Sequence, residues 1–245
     1  LKLALSLPNY NVLGFHFHIG SQIFETTGFK LAIQKLFDHY QNWLSKYSYE
    51  PSVVNVGGGF GIRYTDDDTP LQPAEYVDAI IKEVKIHVQK NKLTMPEIWV
   101  EPGRSIVGDA GTTLYRIGSS KEIPGVRKYV AVDGGMSDNI RPALYQAKYE
   151  AIIANKSKQS KEELVSIAGK ACETGDMLIW DLPIAKTEPG DLLAVFCTGA
   201  YGYSMASNYN RLPRPAVVFV ENGKAKLVIR RETYEDLIKL DLPIY

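Results

Sequence analysis

The first hundred residues alternate between short apolar runs and longer amphipathic segments, and this alternation constrains the fold more than any other feature. Val12–Ile19 is a short apolar run punctuated by Gly20-Ser21. Phe29–Lys46 then carries Leu31, Ile33, Leu36, Phe37, Tyr40, Trp43 and Leu44 at helical spacing. Ser52–Val56 is β-branched and stops at Gly57-Gly58-Gly59. Pro73–Asn91 is helical again, with Tyr76, Val77, Ile80, Ile81, Val84 and Val88 on one stripe. Ile98–Glu101 is a third short strand, closed by Pro102-Gly103. Strand, helix, strand, helix, strand predicts a parallel sheet built from βαβ units. In such sheets ligands sit at the carboxyl ends of the strands, where the glycine and polar punctuation falls here.

After Asp109 the pattern becomes mostly β. Strands are expected at Thr112–Ile117, Lys128–Val132, Glu163–Ala168, Leu192–Phe196, Ala216–Val220 and Lys224–Arg230. Asn222-Gly223 is a strong hairpin signal between the last two. Tyr234–Leu240 reads as a short closing helix. The composition shift predicts two domains, 1–110 and 111–245. A complete (β/α)8 barrel takes about 250 residues, and the βα character here covers enough chain for three or four units. Either the sheet is small and open, or roughly half a barrel lies before residue 1. The opening LKLALSLPNYN, with no initiator Met, reads as the middle of a domain. A partial barrel exposes strand edges and apolar surface, so residues 1–245 by themselves are expected to aggregate.

Bulk properties exclude several classes. Lys and Arg total 28 against 28 Asp and Glu, and no basic run breaks the balance, so no field favours nucleic acid or an anionic membrane. No stretch approaches the roughly 20 apolar residues of a membrane span. Two cysteines, Cys172 and Cys197, make no disulfide framework and point to a reducing, cytoplasmic setting.

Five blocks carry candidate chemistry. In His16-Phe17-His18-Ile19-Gly20-Ser21, strand geometry puts His16 and His18 on one face. A zinc pair needs a third ligand, and only His39 and His87 remain, both in helical segments, so no metal is expected. His18 can instead stack on a flat ring, and Ser21 can donate its hydroxyl to an anion. Val56-Gly57-Gly58-Gly59-Phe60-Gly61 is neither a Walker loop nor a dinucleotide fingerprint, since it lacks the Lys-Ser/Thr of one and the downstream acid of the other. It is either a tight turn or a place where backbone N–H groups crowd a phosphate. Glu101-Pro102-Gly103-Arg104 sets a carboxylate at a strand end with an arginine three residues on. That pair is a structural ion pair or an anion clamp. In Cys172-Glu173-Thr174-Gly175-Asp176 the thiol is a small buried residue or a proton donor, with Glu173 placed to bind a cation. The loop from Thr198 to Asn210, rich in tyrosine and small residues, packs or approaches a ligand closely.

Taken together and in order, HFHIGSQ, VNVGGGFG, EPGRSIV, DGGMSDNIRPALY, CETGD and GAYGYSMASNYNRLPRP resemble the diaminopimelate decarboxylase family. That family is a branch of the alanine-racemase-like, fold-type III decarboxylases dependent on pyridoxal phosphate. The resemblance runs from His16 to Pro215. It implies the C-terminal portion of a (β/α)8 barrel followed by a β-rich domain of sandwich or barrel type, working as a homodimer with shared active sites. It implies pyridoxal 5'-phosphate as cofactor and decarboxylation of meso-2,6-diaminopimelate to L-lysine and CO2, the last step of lysine biosynthesis. His18 matches the ring-stacking histidine and counts with Cys172 as catalytic. Ser21, Gly57, Gly58, Gly59, Gly103 and Arg104 match phosphate contacts, and Glu101 the acid on the pyridine nitrogen. Arg141 and Tyr145 match substrate-carboxylate contacts, Arg104 a further substrate contact, and Tyr201 touches both cofactor and substrate. Cys172 and Glu173 match residues offered across the dimer interface, with Cys172 protonating the substrate carbon after CO2 leaves. The Schiff-base lysine has no match here, which places it outside this chain. Thr174 departs from the serine common at its position and keeps the hydroxyl. The alternatives are decarboxylation of another diamino acid, such as ornithine or carboxynorspermidine, and a non-catalytic regulatory homologue. A racemase of the same fold is disfavoured by Cys172.

Overall fold

The computed structural model describes residues 1–244, which form two compact units, Leu1–Ile106 and the residues from Val107 onward. The first unit opens with a short helix, α1 (Lys2–Ser6), and centres on a three-stranded parallel sheet in the order β1 (Gly14–His16), β2 (Val53–Asn55), β3 (Glu97–Trp99). Register runs through Phe15↔Val54↔Ile98. The crossovers are helices α2 (Thr27–Tyr47) and α3 (Pro73–Asn91). Their apolar stripes, Phe29, Ile33, Leu36, Phe37 and Tyr40 with Tyr76, Ile80 and Val84, bury against Val54, Val56 and Phe60. Each such side chain contributes about 1.5–3 kcal/mol of transfer free energy when fully buried. Tyr76 stacks on Phe60 at 4.8 Å between centroids and donates its hydroxyl to the Ile23 carbonyl at 2.6 Å, which keeps its polar tip satisfied inside the core.

The ends of these helices follow their sequence. Pro73 occupies the first turn of α3, where its missing N–H costs nothing. The Glu75 side chain accepts from the Gln72 backbone N–H at 2.7 Å, completing a capping box. Ser48 and Lys92, both left-handed, end α2 and α3. All three strands are only three residues long, so the glycine- and proline-containing segments begin directly at the sheet's carboxyl edge.

The second unit is built on a six-stranded sheet. Its strands are β4 (Thr112–Ile123), β5 (Arg127–Val132), β6 (Ala151–Ile153), β7 (Glu163–Ala168), β8 (Met177–Ile184) and β9 (Leu192–Phe196). The order is β6-β9-β4-β5-β7-β8, with β5 and β7 parallel and the other neighbours antiparallel. Val130, Val165, Ile167, Leu193, Val195, Ile153 and Ile184 are buried on it. A hairpin, β10 (Val217–Glu221) and β11 (Lys224–Ile229), turns at Asn222-Gly223, both with positive φ as a primed turn requires. Its helices are α5 (Arg141–Tyr145) and α6 (Tyr234–Ile238), and the short α4 (Arg104–Val107) falls where the chain passes from the first unit to the second.

Three differences from expectation have local causes. The first strand beyond residue 110 continues through polar Gly118–Glu122 to Ile123, because a bulge between Ile117 and Ser120 lets it leave β9 and pair with β5. Strand β8 is hidden by Pro183 and by Asp181, whose φ is +49°, and both are tolerated because β8 ends the strand order. Strand β6 is too short to show a period.

Candidate active site

In the first unit the candidate residues gather at the carboxyl edge of the sheet. Arg104 is 9% exposed, and its guanidinium donates to the Tyr64 hydroxyl and to Ser21 Oγ at 3.0 Å. It also lies over the Tyr64 ring at 5.4 Å. One cation from the first residue of α4 and two hydroxyls from two separate loops are thus held together.

The glycine run is enforced by crowding. A Cβ at Gly58 would collide with the Glu101 carbonyl oxygen, and one at Gly59 with that of Gly20. At Gly57 it would stand 2.5 Å from the Phe17 carbonyl oxygen and 3.1 Å from His18 Nδ1. Gly57 and Gly59 also have φ of +68° and +100°. The run therefore brings the loops after β1, β2 and β3 into backbone contact and seats His18 beside it. The bonds Glu101 N–H to Gly57 O at 2.7 Å and Ile23 N–H to Gly59 O at 2.9 Å lock the arrangement.

Glu101 is exposed on the same edge. Its carboxylate accepts from Asn55 Nδ2 at 2.7 Å and lies 3.4 Å from His16 Nε2. Asn55 also accepts the Gly57 N–H at 2.9 Å, so one side chain couples the acid to the glycine run. His16 therefore lies within reach of the Glu101 carboxylate. Among the described residues, no group of three or more His, Cys, Asp or Glu is arranged to hold a metal ion, and no helix is long and apolar enough to cross a membrane.

In the second unit the loops after β5, β7 and β9 converge. Lys170 N–H donates to Gly134 O at 3.1 Å, and Ser207 N–H to Ser137 O at 2.9 Å. Cys172 and Glu173 sit exposed on the turn between β7 and β8. Glu173 accepts from the Tyr209 hydroxyl at 3.0 Å, and the carboxylate alongside raises that phenol's pKa. Arg141 donates from Nε to Tyr149 at 2.9 Å, and its guanidinium lies over Tyr145 at 5.5 Å and Tyr201 at 5.7 Å. Tyr201 reaches this position with φ of +56°, and Cys197, at the root of the same loop, has φ of +58°. Burial pushes up the Asp138 carboxyl, within the loop after β5, and the Tyr115 hydroxyl, on β4.

In the first unit His18, Ser21, Gly57, Gly58, Gly59, Glu101, Gly103 and Arg104 lie along the sheet's carboxyl edge; in the second, Arg141 meets Tyr145 and Tyr201, while Glu173, next to Cys172, meets Tyr209. The sequence reading missed Tyr64, Asn55, Tyr209 and Asp176. Asn55 could have been found from its place at the last strand position before the glycine run. Tyr64 had no local signal.

The donor set suits a phosphorylated pyridine. Arginine, serine and tyrosine beside a glycine-crowded loop match a dianionic phosphate, and a carboxylate held open at the sheet edge matches a ring nitrogen. Residues 1–108 match the family described as pyridoxal-dependent decarboxylase, pyridoxal binding domain. A diaminopimelate decarboxylase from Bacillus subtilis is 63% identical over 243 residues, covering 99% of this chain and 55% of the relative. The crystal structure of diaminopimelate decarboxylase from M. jannaschii in complex with L-lysine superposes with a TM-score of 0.91 at 41% identity, covering 99% of this chain and 54% of that one. The Helicobacter pylori enzyme complexed with L-lysine gives a TM-score of 0.86 at 30% identity, with 98% and 57% covered. The chain spans about half the length of the curated relatives it matches.

Proposed function

We propose, for a chain that belongs to the pyridoxal-dependent decarboxylases, that the whole protein removes CO2 from meso-2,6-diaminopimelate and leaves L-lysine. The observation that carries this is the convergence of Arg104, Tyr64 and Ser21 beside the Gly57–Gly59 run, with Glu101 exposed on the same edge. The three-stranded sheet then belongs to a (β/α)8 barrel, and the unit from Val107 onward to a β-rich second domain. The lysine that anchors the cofactor belongs to a strand outside residues 1–245. Cys172 and Cys197 form no disulfide, which accords with a cytoplasmic enzyme.

Arg104, Ser21, Tyr64, Gly103 and the glycine run would hold the phosphate. His18 would cover one face of the ring. Glu101, steadied by Asn55 and His16, would keep the ring nitrogen protonated. Pyridoxal phosphate, when bound, supplies the electron sink that makes loss of a carboxylate feasible. Arg141 would grip a substrate carboxylate in a fork already fixed by Tyr149 and framed by Tyr145 and Tyr201. Arg104 would offer a further contact to the substrate. Glu173 would bind an ammonium group. Cys172 would give its Sγ proton to the carbon that has lost CO2, a transfer worth about 10²–10⁴-fold when the acid is positioned. In a homodimer with shared sites, Cys172 and Glu173 act on the partner's cofactor. The substrate assignment rests on likeness to enzymes named for it and on Arg141, since only diaminopimelate among the rival diamino acids needs a distal carboxylate read.

The test is CO2 and L-lysine release from meso-diaminopimelate by the full-length protein with pyridoxal phosphate, beside ornithine and carboxynorspermidine. Release from diaminopimelate alone is expected. Release from either rival alone would move the substrate to that amino acid, and release from none would favour a non-catalytic homologue.

A further inference from the structure

One buried carboxylate outside the proposed chemistry is unusually constrained. Asp176 is 3% exposed and ends the Cys172–Asp176 turn. Its Oδ1 accepts the Met136 N–H at 2.6 Å, and its Oδ2 accepts the Ala171 N–H at 2.8 Å. Its own carbonyl accepts the Gly169 N–H at 2.8 Å. Gly135 and Gly169 close over the same carboxylate: a Cβ at Gly169 would collide with Oδ1, and one at Gly135 would stand 2.6 Å from Oδ2. Two backbone donors from two loops, with two glycines clearing the space, define a socket for two acceptor oxygens and nothing larger.

We infer that Asp176 is the positioning residue that fixes the Cys172–Glu173 turn against the Asp133–Asn139 loop. It acts by holding the backbone that bears the two reactive side chains, through bonds to the Met136 and Ala171 N–H groups. The inference rests on the reading that Cys172 serves the substrate. Asparagine is the informative replacement. It has the same shape, but one acceptor becomes an NH2 group that faces an N–H, so one side of the anchor is lost and a buried donor is stranded.

The experiment uses the full-length holoenzyme and four forms: wild type, D176N, C172A and the double variant. Turnover, pyridoxal phosphate affinity and amide hydrogen exchange at Met136 and Ala171 are measured. A positioning role predicts that D176N lowers kcat by roughly 10²-fold, the cost of a misplacement near 1 Å. Cofactor affinity stays unchanged and exchange at both amides accelerates. On the C172A background the further loss falls to about twofold or less, because residues that act as a unit are not additive. Full turnover in D176N overturns the inference. So does an equal fold-loss in both backgrounds, which marks general destabilisation. If C172A itself turns over normally, Cys172 leaves the proposed mechanism, and the anchor is then decided by exchange alone: acceleration upholds it and wild-type protection overturns it. Should D176N fail to fold, G169A, which forces the carboxylate aside from its other flank, is read by the same three measurements.

Discussion

The two units solve the same problem, holding polar groups still in a loop, by different means. In the first unit, left-handed backbone around the candidate phosphate cradle falls mainly on glycine: Gly20, Gly57 and Gly59. Glycine takes that conformation without penalty, and the lost side chain lets neighbouring backbones touch. In the second unit it falls on Cys197, Tyr201, Asn210 and Arg211, where the conformation costs on the order of 1–3 kcal/mol each. There the loops are secured by side chains instead, with Asp176 at the root, Tyr209 at Glu173, and Tyr149 at Arg141. A cradle made of backbone is rigid and intolerant of any added atom. A site made of side chains trades that rigidity for groups that can be exchanged one at a time.

The comparison breaks most visibly at the chemistry. In the full-length protein, Cys172→Ala should slow decarboxylation by about 10²–10⁴-fold while pyridoxal phosphate still binds; steady-state kinetics with a cofactor titration check both halves. Next is Gly58→Ala, where the obstacle is the Glu101 carbonyl oxygen, a backbone atom that cannot swing aside. Overpacking of this kind costs about 1–3 kcal/mol, so cofactor affinity should fall by up to ~10²-fold, and the melting temperature should fall with it. Tyr64→Phe is subtler. It removes one hydroxyl from the Arg104 cluster and should weaken cofactor binding by roughly 5–10-fold, the net worth of one ordinary hydrogen bond, leaving kcat at saturating cofactor near wild type.

The smallest effect concerns the second unit's scaffold. Arg214 holds the Glu232 carboxylate at 2.8 Å through Nε, assisted by the Arg214 N–H and by Asn208, and lowers its pKa from 4.5 to about 2. A folded-state pKa below the unfolded one stabilises at high pH, so this contribution is complete above about pH 4.5 and vanishes as pH falls to about 2. Melting curves of wild type and Glu232→Gln should differ at pH 6 and converge in acid; a constant difference across pH would assign the effect to packing.

Legibility in the sequence divides along the same line. The helices Thr27–Tyr47 and Pro73–Asn91 announce themselves through apolar spacing, and the cradle through its glycines. Arg104 and Glu101 are readable because a strand end with a following glycine is a known place for ligands. Tyr64 is not readable, because its partner Arg104 lies 40 residues away, and neither is the bond from Met136 to Asp176, which spans another 40 residues. Strand β8 was lost to Pro183 and Asp181, two residues that argue against a strand unless its place in the sheet is known. The positive φ of Tyr201 is equally silent, since tyrosine carries no sign of the conformation forced on it.

On the proposed reading the first unit supplies most of the cofactor contacts and the second most of the substrate contacts, and pyridoxal phosphate titration of the full-length protein tests this most directly. Arg104→Met should weaken binding by roughly 10²-fold or more, from loss of a charge-assisted clamp, while Cys172→Ala should stay within about twofold of wild type. Equal affinity in Arg104→Met and wild type, or a comparable loss in Cys172→Ala, would contradict the division of labour between the two units.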